Sequence, residues 1–263
     1  MNMVDVMEPP GRVARKRAAR AEAILDEAAR ILSEDGMEAL TLGRVASALG
    51  YVPAALYRYF DSKDALVAAL QRRAIAAIHG QIRQARSDVD RVAARSAPGV
   101  VSLAHILAGA RCYLSLPRAL PRDFFLVALL VGDPRALLPN AEARRAAPLV
   151  LALLGDIAAA LGAAAEAGAL AAGPGLERTL ALWALLQGSL SMEKIRRIEP
   201  SLPAAEKVGL AGVLALLRGW GADPQMLARA TELASRVDAP SGTIDPARTP
   251  RPKKTRNGRE TRS

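Results

Sequence analysis

The sequence predicts an all-α protein in two parts. Leu and Ala dominate the 51% of residues that are apolar, while β-branched and aromatic residues are few, a composition that favours helix over sheet. No stretch alternates apolar and polar residues long enough to make a strand. Gly and Pro stand in clusters that cut the 263 residues into helix-length pieces, enough for one large domain or two modest ones. No fixed-period repeat is found, so a helical solenoid is not expected.

Residues 1–16 read as a disordered basic arm, because Pro9-Pro10-Gly11 breaks any helix there. A first helix is expected from Arg17 to Asp35, with Leu25, Ala28, Ala29 and Leu32 forming one apolar stripe. Gly36 stands where a left-handed C-cap is wanted. Thr41 offers a hydroxyl N-cap to a second helix that turns Val45, Ala46 and Leu49 inward. Gly50 ends it, and Pro53 suits the first turn of the next helix, where a missing N–H costs nothing. Asp61 and Ser62 are candidate caps for a fourth helix with Leu66, Leu70 and Ile75 on its buried side.

Further helices are expected near 63–86, 99–116, 120–131, 140–171, 175–198, 204–219 and 224–237. The breaks between them are Ala97-Pro98-Gly99, Pro117, Asp133-Pro134, Gly173-Pro174-Gly175, Glu199-Pro200 and Gly221–Pro224. Residues 17–80 form the expected first domain and 81–238 the second. Residues 239–263 read as a disordered basic low-complexity tail.

The formal net charge is +10, and its placement is informative. Residues 240–263 hold seven basic and two acidic groups, and residues 1–20 hold five and two. Residues 21–63 hold four basic and seven acidic groups. The ends are basic and the segment between them is not, which favours a few placed contacts over bulk electrostatic attraction to a polyanion. The single cysteine, Cys112, excludes an internal disulfide and suits a reducing cytoplasm. MNMVDVMEPP lacks the apolar run of a secretory signal. Uncharged runs such as Thr179–Met192 fall short of the ~18 residues that a span requires. The expectation is a cytoplasmic protein without membrane contact.

Enzyme chemistry finds no support. There is no Ser/His/Asp set, no Gly-rich phosphate loop, no HExxH and no carboxylate pair at catalytic spacing, and the only histidines are His79 and His105. No catalytic residue, cofactor or metal site is expected. His105 and Cys112 lie seven apart and share a helix face, but two ligands do not make a metal site.

The informative stretch is TLGRVASALGYVPAALYRYFDSK, Thr41 to Lys63. Four of the nine aromatics fall between Tyr51 and Phe60. Ala46 is small where two helices would cross, Leu49 and Leu56 can lock the crossing, and Gly50 permits the sharp turn. Tyr57, Arg58 and Tyr59 are consecutive and fan around the helix, so they are not all core. Tyr hydroxyls, Arg58 and Lys63 are groups that hold a phosphate backbone in register. A DNA-binding helix-turn-helix at about 41–60 accounts for these features. On spacing alone an ordinary helical hairpin remains open.

AILDEAARILSEDGMEALTLGRVASALGYVPAALYRYFDSKDALVAAL resembles the N-terminal domain of the TetR family of bacterial transcriptional regulators. The family pattern recurs at Ile24-Leu25, Ala28, Ile31-Leu32, Gly36, Thr41, Val45-Ala46, Gly50, Leu56-Tyr57, Tyr59-Phe60, Ser62-Lys63 and Leu66. The resemblance implies that Pro53–Tyr59 is a recognition helix for the major groove. It makes Thr41 a capping residue near a phosphate, with Arg44 on the exposed side of that helix. Tyr57 and Tyr59 become a backbone-clamping pair, and Lys63 lies beside another phosphate. Phe60 and Leu66 are expected in the core. Arg58 is open between phosphate and a guanine edge.

Val52 and Pro53 stand where the family often has a Ser followed by a polar residue, and Ala54 and Ala55 add little hydrogen-bonding capacity. Tyr51 replaces a small aliphatic residue. Base readout is therefore expected to lean on Tyr51, Arg58, the N-terminal arm and DNA shape.

The resemblance also implies a helical domain that binds an effector and dimerises. Ala181, Ala184 and Gly188 form one small-residue stripe, and Gly212, Ala215 and Gly219 a second; both suit close helix approach between subunits. Intrachain packing is the competing reading. Candidate ligand-binding residues are His105, Arg111, Cys112, Tyr113, Phe124, Phe125, Trp183 and Gln187, polar or aromatic groups in or beside apolar helices. The expected partners are double-stranded DNA with a pseudo-palindromic operator, a second copy of the chain and an unidentified, apolar small-molecule effector. A homodimeric repressor is the leading expectation. The alternatives are an activator, a nonspecific DNA binder of the same fold, or a small-molecule-binding protein with no regulatory role.

Overall fold

The computed structural model describes residues 11–132 and 140–237. Side chains are described for 11–128 and 147–237. The first ten residues and the 239–263 tail therefore lie outside the described residues, as does the Asp133-Pro134 break. The described residues form helices and turns with no strand.

The expected disordered arm is shorter than 1–16. Helix α1 already begins at Arg12 and runs to Asp35, since Arg, Lys and Ala are strong helix formers and the breakers Pro9-Pro10-Gly11 all lie ahead of them. Its inward stripe includes Ile24, Leu25, Ala28, Ile31 and Leu32. α2 (Leu42–Ala48) and α3 (Pro53–Leu56) are short. α4 (Lys63–Val92) is 30 residues long and continues six residues past its expected end.

The second part is built around α5 (Pro98–Ala119), which packs against α4, α6 (Pro121–Gly132), α7 (Asn140–Glu166), α8 (Gly175–Ser191), α10 (Ala205–Gly219) and α11 (Pro224–Ser235). Pro117 does not break α5 as expected. It lies inside the helix close to its end, where it removes one backbone donor, and only one further turn follows, with Leu120 N donating to Leu116 O at 2.8 Å. α7 ends five residues before its expected limit. Gly168 takes φ +68°, and Ala169 N closes the end on Ala164 O at 2.8 Å. The expected helix over 175–198 is two helices, α8 and the single turn α9 (Glu193–Arg196). Glu193 turns its carboxylate to accept the Ala205 N–H at 2.7 Å, tying α9 to the start of α10.

Two cores result. The N-terminal core joins Ile24, Ile31, Leu32, Leu40, Val45, Leu56, Leu66 and Leu70 with one distant residue, Leu126 of α6. The C-terminal core surrounds Leu103, Leu107, Leu116, Val213 and Leu217. The boundary falls inside α4, between Ala74 of the first core and Ile78 of the second. Two helical stretches, Pro98–Ala119 and Ala147–Glu166, are long and apolar enough to cross a membrane by length and composition, which corrects the expectation from uncharged runs. The first is the central core helix and is mostly buried in protein; few residues of the second are fully buried.

Candidate nucleic-acid interface and ligand cavity

The interface is fixed by local signals. Thr41 is extended, and its Oγ1 accepts the Arg44 N–H at 3.1 Å, capping α2. α2 buries Leu42, Val45 and Ala46. Gly50 adopts φ +71°, a left-handed conformation that costs other residues about 1–2 kcal/mol. It lets Tyr51 N reach back to Ala46 O at 2.8 Å. Val52 is extended, Pro53 opens α3, and Leu56 anchors it with no exposed surface. Ser62 Oγ then accepts the Ala65 N–H at 3.0 Å and starts α4.

This arrangement presents one continuous surface. Thr41, Arg44, Tyr51, Val52, Pro53, Ala54, Tyr57 and Arg58 are exposed, with Val52 at 69% and Tyr57 at 55%. Ala55, Tyr59, Phe60 and Lys63 are half-buried. The helix is shorter than the expected Pro53–Tyr59: it ends at Leu56, and residues 57–59 form a turn closed by Phe60 N to Leu56 O at 3.0 Å. Tyr59 is not a free clamp, because its ring packs on the N-terminal core under the Arg17 guanidinium, 6.0 Å from the ring centroid. Lys63 donates to the Met37 carbonyl at 2.7 Å, and Arg44 pairs with Asp35 at 2.7 Å. Arg17, which was not among the residues expected at the interface, also donates to the Arg58 carbonyl at 3.3 Å.

The second feature is a cavity of about 130 Å³ inside the C-terminal domain. Its wall is aliphatic: Ile75, Ile78 and Ile82 from α4, Ile106 from α5, Leu153, Leu154 and Ile157 from α7, and Leu182 and Leu186 from α8. Three expected residues, His105, Tyr113 and Trp183, line it. Gln187 and Phe124 act from behind. Tyr113 donates to Gln187 Oε1 at 2.7 Å and accepts from Trp183 Nε1 at 3.2 Å, while Phe124 meets the Tyr113 ring edge-on at 6.2 Å. Burial pushes the Tyr113 hydroxyl up to about 12, so it remains a neutral donor.

Three expected residues do not line the cavity. Phe125 is exposed, Arg111 faces elsewhere, and Cys112 is buried in the core, where desolvation pushes its thiol up to about 11. His105 and Cys112 therefore do not meet at a common site. Arg86, Asp156 and the α4 wall were not anticipated from sequence. The i, i+3, i+7 spacing of Ile75, Ile78 and Ile82 was the available signal.

Every polar group on the wall already has a partner. His105 Nε2 meets Asp90 Oδ1 at 2.7 Å, and Asp156 Oδ2 meets His79 Nε2 at 2.7 Å. Arg86 donates to the Asp156 carbonyl at 3.2 Å. Deeper in α4, Gln71 is fully buried, and neither of its amide atoms has a partner among the described residues.

Of the two small-residue stripes, Ala181, Ala184 and Gly188 on α8 and Ala215 and Gly219 on α10 are exposed or half-buried. Gly212 is not part of an outward stripe. A Cβ there would lie 2.6 Å from Leu185, so it serves the α8–α10 contact within the chain.

Residues 24–70 match the family model for bacterial regulatory proteins, tetR family. The N-terminal domain belongs to the tetR family. Over 76 residues the chain is 32% identical to the HTH-type transcriptional repressor KstR2 of Rhodococcus jostii, covering 29% of this chain and 37% of that protein. The chain thus spans little more than a third of that curated relative's length. The fold of the chain is similar to that of SmeT, the repressor of the Stenotrophomonas maltophilia multidrug efflux pump SmeDEF. That likeness has a TM-score of 0.55 at 19% identity, over 78% of this chain and 92% of SmeT. A protein of unknown function from Rhodococcus sp. RHA1 gives 0.62 at 19% identity, over 84% and 100%. The regulator PfmR of Thermus thermophilus gives 0.51 at 22%, over 74% and 97%. At these identities the likeness shows fold alone.

Proposed function

We propose that the protein is a sequence-specific DNA-binding transcriptional regulator, a homodimeric repressor released from its operator by a small, uncharged, apolar molecule. The observation that carries this reading is the tetR-type surface itself. Thr41, Arg44, Tyr51 to Ala54, Tyr57 and Arg58 are exposed together on a sealed core. That surface seats α3 in a major groove, with the hydroxyls of Thr41 and Tyr57 at phosphates and Arg58 as the strongest candidate for a base edge. Ala54 and the Val52 side chain offer apolar contact to thymine methyls. The repressor KstR2 is consistent with this sign of regulation.

The small residues of α8 and α10, with the exposed Leu176 and Leu180 beside them, suit a two-fold contact between copies. Such a dimer places two readers on half-sites one helical turn apart, ~34–36 Å. The ligand class follows from the cavity. Its polar groups are already paired, so a ligand gains by filling apolar space and not by hydrogen bonding. A cavity of similar size, about 150 Å³, is known to take benzene. Coupling to DNA has a structural route, because α4 and α6 belong to both places. Ile75 and Val127 line the cavity, while their neighbours Ala74 and Leu126 lie in the reader's core. A ligand that pushes either helix changes the spacing of the two readers.

Arg58→Ala tests the reader. The expected result is a larger loss of affinity on the preferred operator than on random DNA, with relaxed preference at one base pair. Uniform weakening on all sequences, with a salt slope smaller by about 2 for the two protomers of the dimer, assigns Arg58 to a phosphate instead. Unaltered binding overturns the proposed surface.

A further inference from the structure

The first two turns of α1 carry Arg12, Arg15, Lys16, Arg17 and Arg20 and no acidic residue, and residues 11–20 are exposed on every side. The nearest acids on the same helix, Glu22 and Asp26, are turned to Arg73, at 3.3 and 2.7 Å. Among the described residues these five cations have no acidic partner, and core packing does not account for them. The inner side of this helix end instead forms a groove with the reader. Val13, Lys16, Arg17 and Arg20 stand opposite Arg58 and Tyr59. Arg17 forms the floor, holding the Arg58 carbonyl at 3.3 Å and covering the Tyr59 ring. The groove opens directly beside the turn that follows α3.

The geometry points to this groove as a second DNA contact, which takes one sugar-phosphate strand flanking the half-site read by α3. The inference rests on the regulator reading above and extends it, since none of these α1 residues belongs to the helix-turn-helix surface. The groove is lined by guanidinium and ammonium groups on long flexible stems, with an aliphatic residue and an aromatic ring between them. That chemistry fits a continuous row of phosphates and sugars. It offers no placed set of donors and acceptors for base edges, so it adds affinity and footprint length without altering the preferred sequence. Arg17 is a positioning residue, because it acts through the Arg58 backbone and the Tyr59 ring.

The test uses the full chain and duplex DNA carrying its selected operator, comparing wild type with Lys16→Ala/Arg20→Ala and with Lys16→Arg/Arg20→Lys. The expected result for the alanine pair is a salt slope smaller by about 3.6, roughly 0.9 for each of the two phosphates that each protomer of the proposed dimer no longer neutralises. Its hydroxyl-radical protection also recedes at the outer edge of each half-site, while the selected sequence is unaltered. The charge-preserving pair keeps the wild-type slope and protection. Alanine supports helix, so circular dichroism should be unaltered in both variants. Wild-type slope and footprint in the alanine pair overturn the groove and leave the regulator reading standing. A wild-type chain with no preference for any duplex overturns the regulator reading itself.

Discussion

The two cores of this chain share α4 but are finished differently. The reader's core is filled: Ile24, Ile31, Leu40, Val45, Leu56, Leu66 and Leu70 have no exposed surface, and each turn around it is closed by a cap or a backbone hydrogen bond. The C-terminal core has a comparable set of buried residues around α5, yet it leaves a space of about 130 Å³ between α4, α5, α7 and α8. Close packing is the normal state of a protein interior. This domain omits it at one place while satisfying the polar groups on the wall, which is the arrangement the proposed effector would need. Under the proposed function, the filled core belongs to the part that would match a DNA groove and the open one to the part that would take an effector.

Truncation should separate the two most strongly. Leu56→Ala is expected to cost about 2–5 kcal/mol in urea unfolding and to abolish operator binding, because the filled core cannot collapse around the missing atoms. Ile157→Ala, on the cavity wall, should cost less than half as much, since it enlarges an existing space. Equal costs would break the distinction between the cores. Gln71→Leu tests the junction inside α4. Replacing a buried amide that has no partner among the described residues by an apolar group of similar size is expected to stabilise the fold by about 1–3 kcal/mol. The melting temperature should rise by ~2–4 °C per kcal/mol.

Smaller effects sharpen the picture. Gly50→Ala meets no atom within 4 Å, so only the strain at φ +71° remains. A destabilisation of about 1–2 kcal/mol and weaker DNA binding are expected, with ligand binding untouched. Gly109→Ala, on the cavity wall, places its Cβ at an ordinary 3.6 Å from Ile82. It should stabilise α5 by about 0.5–1 kcal/mol and reduce the affinity for an apolar guest such as benzene, read by calorimetry.

The contrast also explains what could be read from sequence. Thr41, Gly50, Pro53 and Ser62 act on neighbours within a few residues, and each does in the structure what its chemistry implies. The fold class and the reader were legible for that reason. Long-range partnerships were not. Lys63 reaches back 26 residues to Met37 O, Leu126 crosses from α6 into the reader's core, and Gly212 packs against Leu185 of the same chain. Cys112 and Tyr113 are adjacent in sequence, yet only Tyr113 lines the cavity, a matter of helix rotation against α7 and α8. The basic end of α1 is visible in the sequence as charge, but it reads there as an arm and not as a helix, since Pro9-Pro10-Gly11 dominates the local signal.

The most direct test of a rigid, sequence-reading N-terminal domain is selection of genomic DNA fragments by the purified full chain in the presence of excess nonspecific competitor. The expected result is enrichment of a shared, two-fold-related sequence whose half-sites lie about one helical turn apart, and its disappearance in the Leu56→Ala variant. Recovery of unrelated fragments in proportion to their length, with the same outcome for that variant, would contradict it.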